Sequence, residues 1–184
     1  MNLTDTHCHL DYNKFDSDRA EVIQRAIDSG LIRLLVPGLH HRSSRDAVLL
    51  AEANPSVYAA VGFHPTDLVE FSEETFQQVK ELAIHPKVVA IGEIGIDYYW
   101  VKENDKRAIQ RDALKQQLQF AKEINKPVII HMREENDAWF GEASVDLLKI
   151  LEEWQGSLQN PLAERPGVLH SFNGNLETAQ KALN

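Results

Sequence analysis

The stretch Gln110–Arg133, QRDALKQQLQFAKEINKPVIIHMR, holds one helix, one turn and one strand in sequence. Leu114, Leu118 and Ala121 recur at helical spacing, which predicts a helix from about Lys106 to Ile124. Asn125–Pro127 then turns the chain into an apolar run, Val128–His131, that reads as a strand ending in an imidazole. Helical periodicity leading into a short apolar run is the signature of βαβ units and a parallel sheet.

The same alternation extends in both directions. Upstream, strands are predicted at Leu31–Val36, Val57–Phe63 and Val88–Ile94, after a first strand that opens the chain at Leu3–Asp11. Between them, Ser17 or Asp16 can open a helix that Gly30 ends, and Ser43 and Ser44 offer caps for a helix running through Ala53. Ser72 can cap the next helix, whose face is marked by Phe76, Val79 and Ala83. Downstream, a helix over about Ser144–Trp154, a strand over Gly167–Phe172 and a helix from Asn175 complete six βα units. The predicted architecture is α/β, a TIM-barrel type (β/α)8 fold of which about six units are present. We read the whole of residues 1–184 as one domain.

Composition narrows the function classes. A formal net charge of −9 excludes a protein that grips nucleic acid by a basic surface, so with a phosphodiester substrate the positive field must come from metal cations. The single cysteine, Cys8, rules out an internal disulfide and fits a reducing, cytoplasmic setting. It lies between His7 and His9, so a strand would turn it away from them, and a packed thiol is expected. The start MNLTDTHC has no basic region followed by an apolar run, and no window approaches membrane-spanning length.

In parallel α/β folds the βα loops at the C-terminal strand ends form one functional rim. His7 and His9 close the first strand, where Asp5, His7 and His9 are spaced two apart and so should share a face. His64 closes the third strand in GFHP, Glu93 lies in the fourth in AIGEIGID, His131 ends the fifth and His170 the sixth. Five of the eight histidines and one glycine-flanked glutamate thus converge on one rim. His40 and His41 are adjacent in a loop, and His85 precedes its strand. These three read as solvated or structural. His7, His9 and Glu93 make three ligands, and Glu93, His131 and His170 make three more if the carboxylate bridges two cations about 3.5–4 Å apart. Imidazole-rich, thiolate-free ligation suits Zn, Mn, Fe or Co, with Mg tolerable where carboxylates and waters complete the shell.

The segments TDTHCHLD, VGFHP, IGEIGIDYY, QRDALKQQLQFAKEINKPVIIHMR and GVLHSFNG, in this order, make the chain resemble the TatD family of metal-dependent deoxyribonucleases, in the amidohydrolase-like barrel group. The resemblance implies His7, His9 and Glu93 on one metal and Glu93, His131 and His170 on the other. It also implies that His64 contacts a substrate phosphate with Arg133 beside it. Tyr98, Tyr99 and Trp100 are candidates for stacking on a base, or for helix packing. Family members have eight βα units and end their site with an aspartate after the last strand. Here the last two strands and that aspartate are missing, so a truncated or fragmentary barrel is expected, less stable unless another chain covers the gap. The segment Glu134–Ala143 is longer than that loop normally requires and is expected to reshape the substrate mouth.

The expected function is a metal-dependent DNA exonuclease, acting on single-stranded or frayed ends with a water activated by two divalent ions (Zn, Mn or Mg) and centred on Glu93 as the catalytic residue. Two alternatives stay open from sequence: a hydrolase of another ester or amide, aminoacyl-tRNA included, and an inactive remnant that binds metal or only a partner chain.

Overall fold

The computed structural model describes residues 2–183. Its first half contains β1 (Leu3–Asp5), α1 (Arg19–Asp28), β2 (Leu31–Pro37), α2 (His41–Ala53), β3 (Val57–Val61) and α3 (Glu73–Ala83). The second half continues with β4 (Val88–Asp97), α4 (Asn104–Glu123), β5 (Val128–Arg133), α5 (Glu142–Gln155), β6 (Gly167–Leu169) and α6 (Leu176–Leu183). Each strand pairs in parallel with the next in sequence, giving the order β1-β2-β3-β4-β5-β6. This is the winding of a TIM-type barrel, six units of it among the described residues, with β1 and β6 at the sheet's two margins. No helix among these residues is long and apolar enough to cross a membrane.

The two faces of the sheet are filled unequally. Side chains alternate along a strand, so Ala59 and Val61 face one way and Ala60 the other. The helix-covered face holds the main core, where Val36, Ala59, Val61, Ile91, Ile130, Leu114, Leu118 and Leu147 are all buried. The opposite face holds a smaller apolar cluster, Ala60, Ala90 and Ile129, with Leu35 packed against them. α5 is tied to α4 by the Trp154 indole N–H, which donates to the Leu118 carbonyl (2.8 Å). The inward polar residues of α4 instead clamp strand ends. The Gln117 amide accepts from Phe63 N–H (2.7 Å) and donates to Phe63 O (3.1 Å), and Gln110 does the same to Asp97 (3.0 and 3.1 Å).

Several boundaries differ from the sequence expectation, each for a local reason. β1 ends at Asp5, because the Asp5 carboxylate accepts the His7 backbone N–H (3.1 Å) and turns the chain out of the ladder. His7 and His9 therefore sit on a loop, held to the sheet by Cys8 N–H donating to Leu35 O (3.0 Å). The Cys8 thiol does turn away, donating to the same carbonyl at 3.4 Å, and burial pushes its pKa up to about 12. α2 begins earlier than expected. His40 is its N-cap and Ser43 closes the capping box, while Ser44 is buried and bonded to Gly62. β4 runs three residues further than predicted, to Asp97, and β6 stops at Leu169.

Candidate metal centre

β4 positions the central carboxylate through an irregularity. Ile91 pairs with Val128 but Ile94 pairs with Ile130, so three steps on β4 face two on β5 and the Gly92–Glu93 segment bulges out of register. Bulges re-aim side chains beside active sites. Beyond it, Gly95 pairs with His131 at positive φ (151°), and a Cβ there would lie 2.0 Å from the His131 carbonyl oxygen. Only glycine permits that approach. With the bulge and the glycine, Glu93 and Asp97 flank Gly95 and reach His131 from either side.

The result is a carboxylate met on both oxygens. Glu93, 3% exposed, lies with Oε2 at 3.2 Å from His7 Nε2 and 4.0 Å from His9 Nε2. Its Oε1 lies 3.0 Å from His131 Nδ1 and 3.7 Å from His64 Nε2. His7 and His9 bring their Nε2 atoms to 3.2 Å of each other. Donors on one tetrahedral ion at about 2.0–2.1 Å stand about 3.3 Å apart, so the His7, His9 and Glu93 spacings suit a shared cation. The buried Nδ1 atoms of His7 and His9 and Oδ1 of Asp11 lack a hydrogen-bond partner, polar groups that a purely structural arrangement would satisfy.

Of the predicted site residues, His7, His9, Glu93, His131 and His64 converge here. His170 stands differently. It follows β6, is anchored by its N–H to Ile130 O (2.8 Å), and stacks its ring on His7 with centroids 3.4 Å apart and planes at 11°. The donors grouped around Glu93 Oε1 are His64 and His131. His64 differs from His131 in its hydrogen bonding: its Nδ1 lies 2.7 Å from the Thr66 hydroxyl, which itself donates to Asp67, and 3.2 Å from the Thr66 backbone nitrogen, while its Nε2 faces Glu93.

The electrostatics divide the imidazoles. Burial, reinforced by the neighbouring His131, pulls His64 down to about 4, and burial also lowers His9 and His170, next to His7. All three are neutral near pH 7, the form that ligates. Burial would lower His131 too, but bonds to Asp97 and Glu93 raise it to about 9. Burial would raise Glu93, yet its bonds to His131 and His7 hold it well below the usual carboxylate range. An imidazolium between two carboxylates balances their charge, and a cation would take over that balance.

Asp97 is the site residue that sequence reasoning missed. It is 1% exposed, with Oδ2 3.0 Å from His131 Nε2 and Oδ1 accepting the Trp100 N–H (2.8 Å). The signal was present in GEIGID, where Glu93, Gly95 and Asp97 recur at period two along one strand. Asp11 was missed as well. Its buried carboxyl is pushed up to about 6 and lies 3.9 Å from His9 Nδ1.

Aromatic side chains follow both β4 and β5. Arg133 lays its guanidinium over the Tyr99 ring (3.8 Å) and beside Trp100 (5.8 Å), while its Nε donates to Asp137 (2.7 Å). Trp100 and Trp139 are 67% and 75% exposed. Tyr98 is buried instead, its hydroxyl donating to Asp146 (2.6 Å) and accepting from Arg111 (2.8 Å), so of the three aromatics it is the packing residue. In the long Glu134–Ala143 segment, the Glu134 carboxylate turns inward and accepts the Ala143 and Ser144 N–H groups (3.1 and 2.6 Å) at the start of α5. An apolar concavity of about 630 Å³ lies elsewhere, between α5, β6 and α6, and contains none of the site imidazoles.

The family described as TatD related DNase matches residues 4–184. An uncharacterized metal-dependent hydrolase, YabD of Bacillus subtilis, is 36% identical over 181 residues, covering 98% of this chain and 65% of the relative. A protein named 3'-5' ssDNA/RNA exonuclease TatD, from Escherichia coli, is 33% identical over 98% of this chain and 64% of its own length. The crystal structure of YjjV, a TatD homolog from Escherichia coli, superposes with a TM-score of 0.82 at 31% identity over 98% of this chain and 64% of that one. The chain therefore spans just under two thirds of the relatives it matches. With the family match running over nearly every residue and the fold shared with YjjV, this chain belongs to the TatD-related DNase family.

Proposed function

We propose that this chain is a metal-dependent hydrolase of phosphodiester bonds, acting as an exonuclease on single-stranded or frayed DNA ends. The observation that carries the reading is Glu93, a buried carboxylate with each oxygen turned to a different pair of imidazoles. His7 and His9 with Glu93 would hold one divalent ion, and Glu93 with His131 a second, of the Zn, Mn or Mg type, with His170 turning from its stack on His7 to join the second. Bound there, such ions supply Lewis acidity to a phosphoryl oxygen and lower the pKa of water.

The chain's own residues do the rest. His64 presents its Nε2 edge to a substrate phosphate, Asp97 fixes the His131 ring, and Arg133 on Tyr99 offers a cation over an aromatic face beside Trp100, on which a terminal base can stack. The name of the Escherichia coli relative, an exonuclease of single-stranded DNA and RNA, supports nucleic acid as the substrate class. The net charge of −9 makes cations a requirement for binding a polyanion.

The test pairs binding with turnover. Calorimetry with Zn2+ or Mn2+ should show two ions bound at the Glu93 centre and a loss of both in Glu93→Gln. Degradation of single-stranded DNA should be abolished by a chelator and by the same substitution, with far-ultraviolet circular dichroism unchanged. Full-strength ion binding by Glu93→Gln would reject the shared-carboxylate site. Intact ion binding with hydrolysis of acyl substrates but not DNA would move the reading to another ester or amide, and ion binding with no hydrolysis to a metal-binding remnant.

A further inference from the structure

A second cluster of donors sits on the same rim, outside the Glu93 centre. His40 and His41 lie at the start of α2, and Glu70 ends a 3-10 turn, Leu68–Glu70, before α3. One donor atom from each lies within 4.8 Å of the other two. His41 Nδ1 faces Glu70 Oε2 at 3.6 Å, too far for a hydrogen bond, and that buried nitrogen has no other partner. A separation of 3.6 Å is close to the roughly 3.3 Å between two donors on one tetrahedral ion. Arg42 occupies the other Glu70 oxygen, Oε1, and leaves Oε2 to the imidazole side.

The backbone on both sides is already fixed. Ser43 Oγ accepts the N–H groups of Leu39 and His40 (2.7 and 3.0 Å), and the His40 Nδ1 accepts the Ser43 N–H at 3.4 Å to complete the α2 capping box, a long bond that an ion on either ring nitrogen would displace. Thr75, in the α3 capping box with Ser72, donates its hydroxyl to the Glu70 carbonyl (2.5 Å). The His41 ring faces that of Phe63, with centroids 6.4 Å apart. The Glu70 side chain is 42% exposed, so an ion can enter from solvent.

We propose that His40, His41 and Glu70 form a separate binding site for a single transition-metal dication of the zinc class, sharing no ligand with the Glu93 centre. Two imidazoles and one carboxylate are the donor set that suits zinc or cobalt rather than magnesium or calcium, with water completing the shell.

The experiment is a zinc titration of the whole chain followed by imidazole-selective 1H–15N spectra. The His40 and His41 ring nitrogens are expected to shift and saturate along with those of the Glu93 cluster, at one further ion per chain. Glu70→Gln should weaken that step by at least about tenfold, the loss that even an outer-shell partner brings, while the His7 and His9 signals respond as before. Unmoved His40 and His41 resonances under excess zinc would overturn the proposal, as would a Glu70→Gln chain that binds the further ion within about twofold of the original. The wild-type spectra decide the matter by themselves should the variant fail to fold.

Discussion

His131 shows how much one side chain's chemistry depends on its two neighbours. With Glu93 on Nδ1 and Asp97 on Nε2, its ring is held in one plane and one charge state. Asp97→Asn keeps the shape but removes the charge, and should weaken divalent-ion binding about 10–100-fold with little change in fold, as measured by calorimetry. Tyr98 gives a pH prediction. Burial first, and the bond to Asp146 second, raise its pKa from 10.0 to about 12, against the opposing pull of Arg111. A phenol raised on folding contributes stability that is complete below pH 10 and lost as pH climbs toward 12. Denaturation midpoints across that window should fall less steeply in Tyr98→Phe, and phenolate absorbance should lack its latest step. The imidazoles of the site were legible as residues at strand ends. Which of them face which oxygen was not. His170 stacking on His7, and His64 standing beside His131, depend on ring orientations that spacing along the chain does not encode.

Among the elements, β4 concentrates the demands of the site. The bulge at Gly92–Glu93 and the positive φ of Gly95 bring its backbone against β5. Gly95→Ala would force a Cβ into the His131 carbonyl, and urea denaturation should show a loss of about 3 kcal/mol or more together with loss of ion binding. A change of that size without loss of binding would mean the strand relaxes independently of His131. Strand and helix order could be read from apolar periodicity, and so could the Ser72 cap of α3. The ends of β1 and the start of α2 could not. In both, a side chain competes for backbone hydrogen bonds: Asp5 captures the His7 N–H, and His40 takes the capping place that the serines were expected to fill.

At the scale of the molecule, the donors of the Glu93 centre come from the loops after β1 and β3 and from β4 and β5, so an ion bound there joins segments far apart in sequence. An ion at 100 times its dissociation constant adds about 2.7 kcal/mol to the folded state, and its removal by a chelator should lower the melting temperature by about 5–10 °C. Calorimetric scans with and without chelator check this, and Glu93→Gln should show no such difference. The consecutive strand order carries a consequence for synthesis. Because each described strand after the first adds onto the one made just before it, this part of the sheet can grow unit by unit as the ribosome releases it. The cation pocket cannot follow that schedule: His7, His9, His64 and Glu93 have all been translated while His131 is still to come, so the nascent protein carries a crowded, incompletely compensated cluster until the fifth strand arrives.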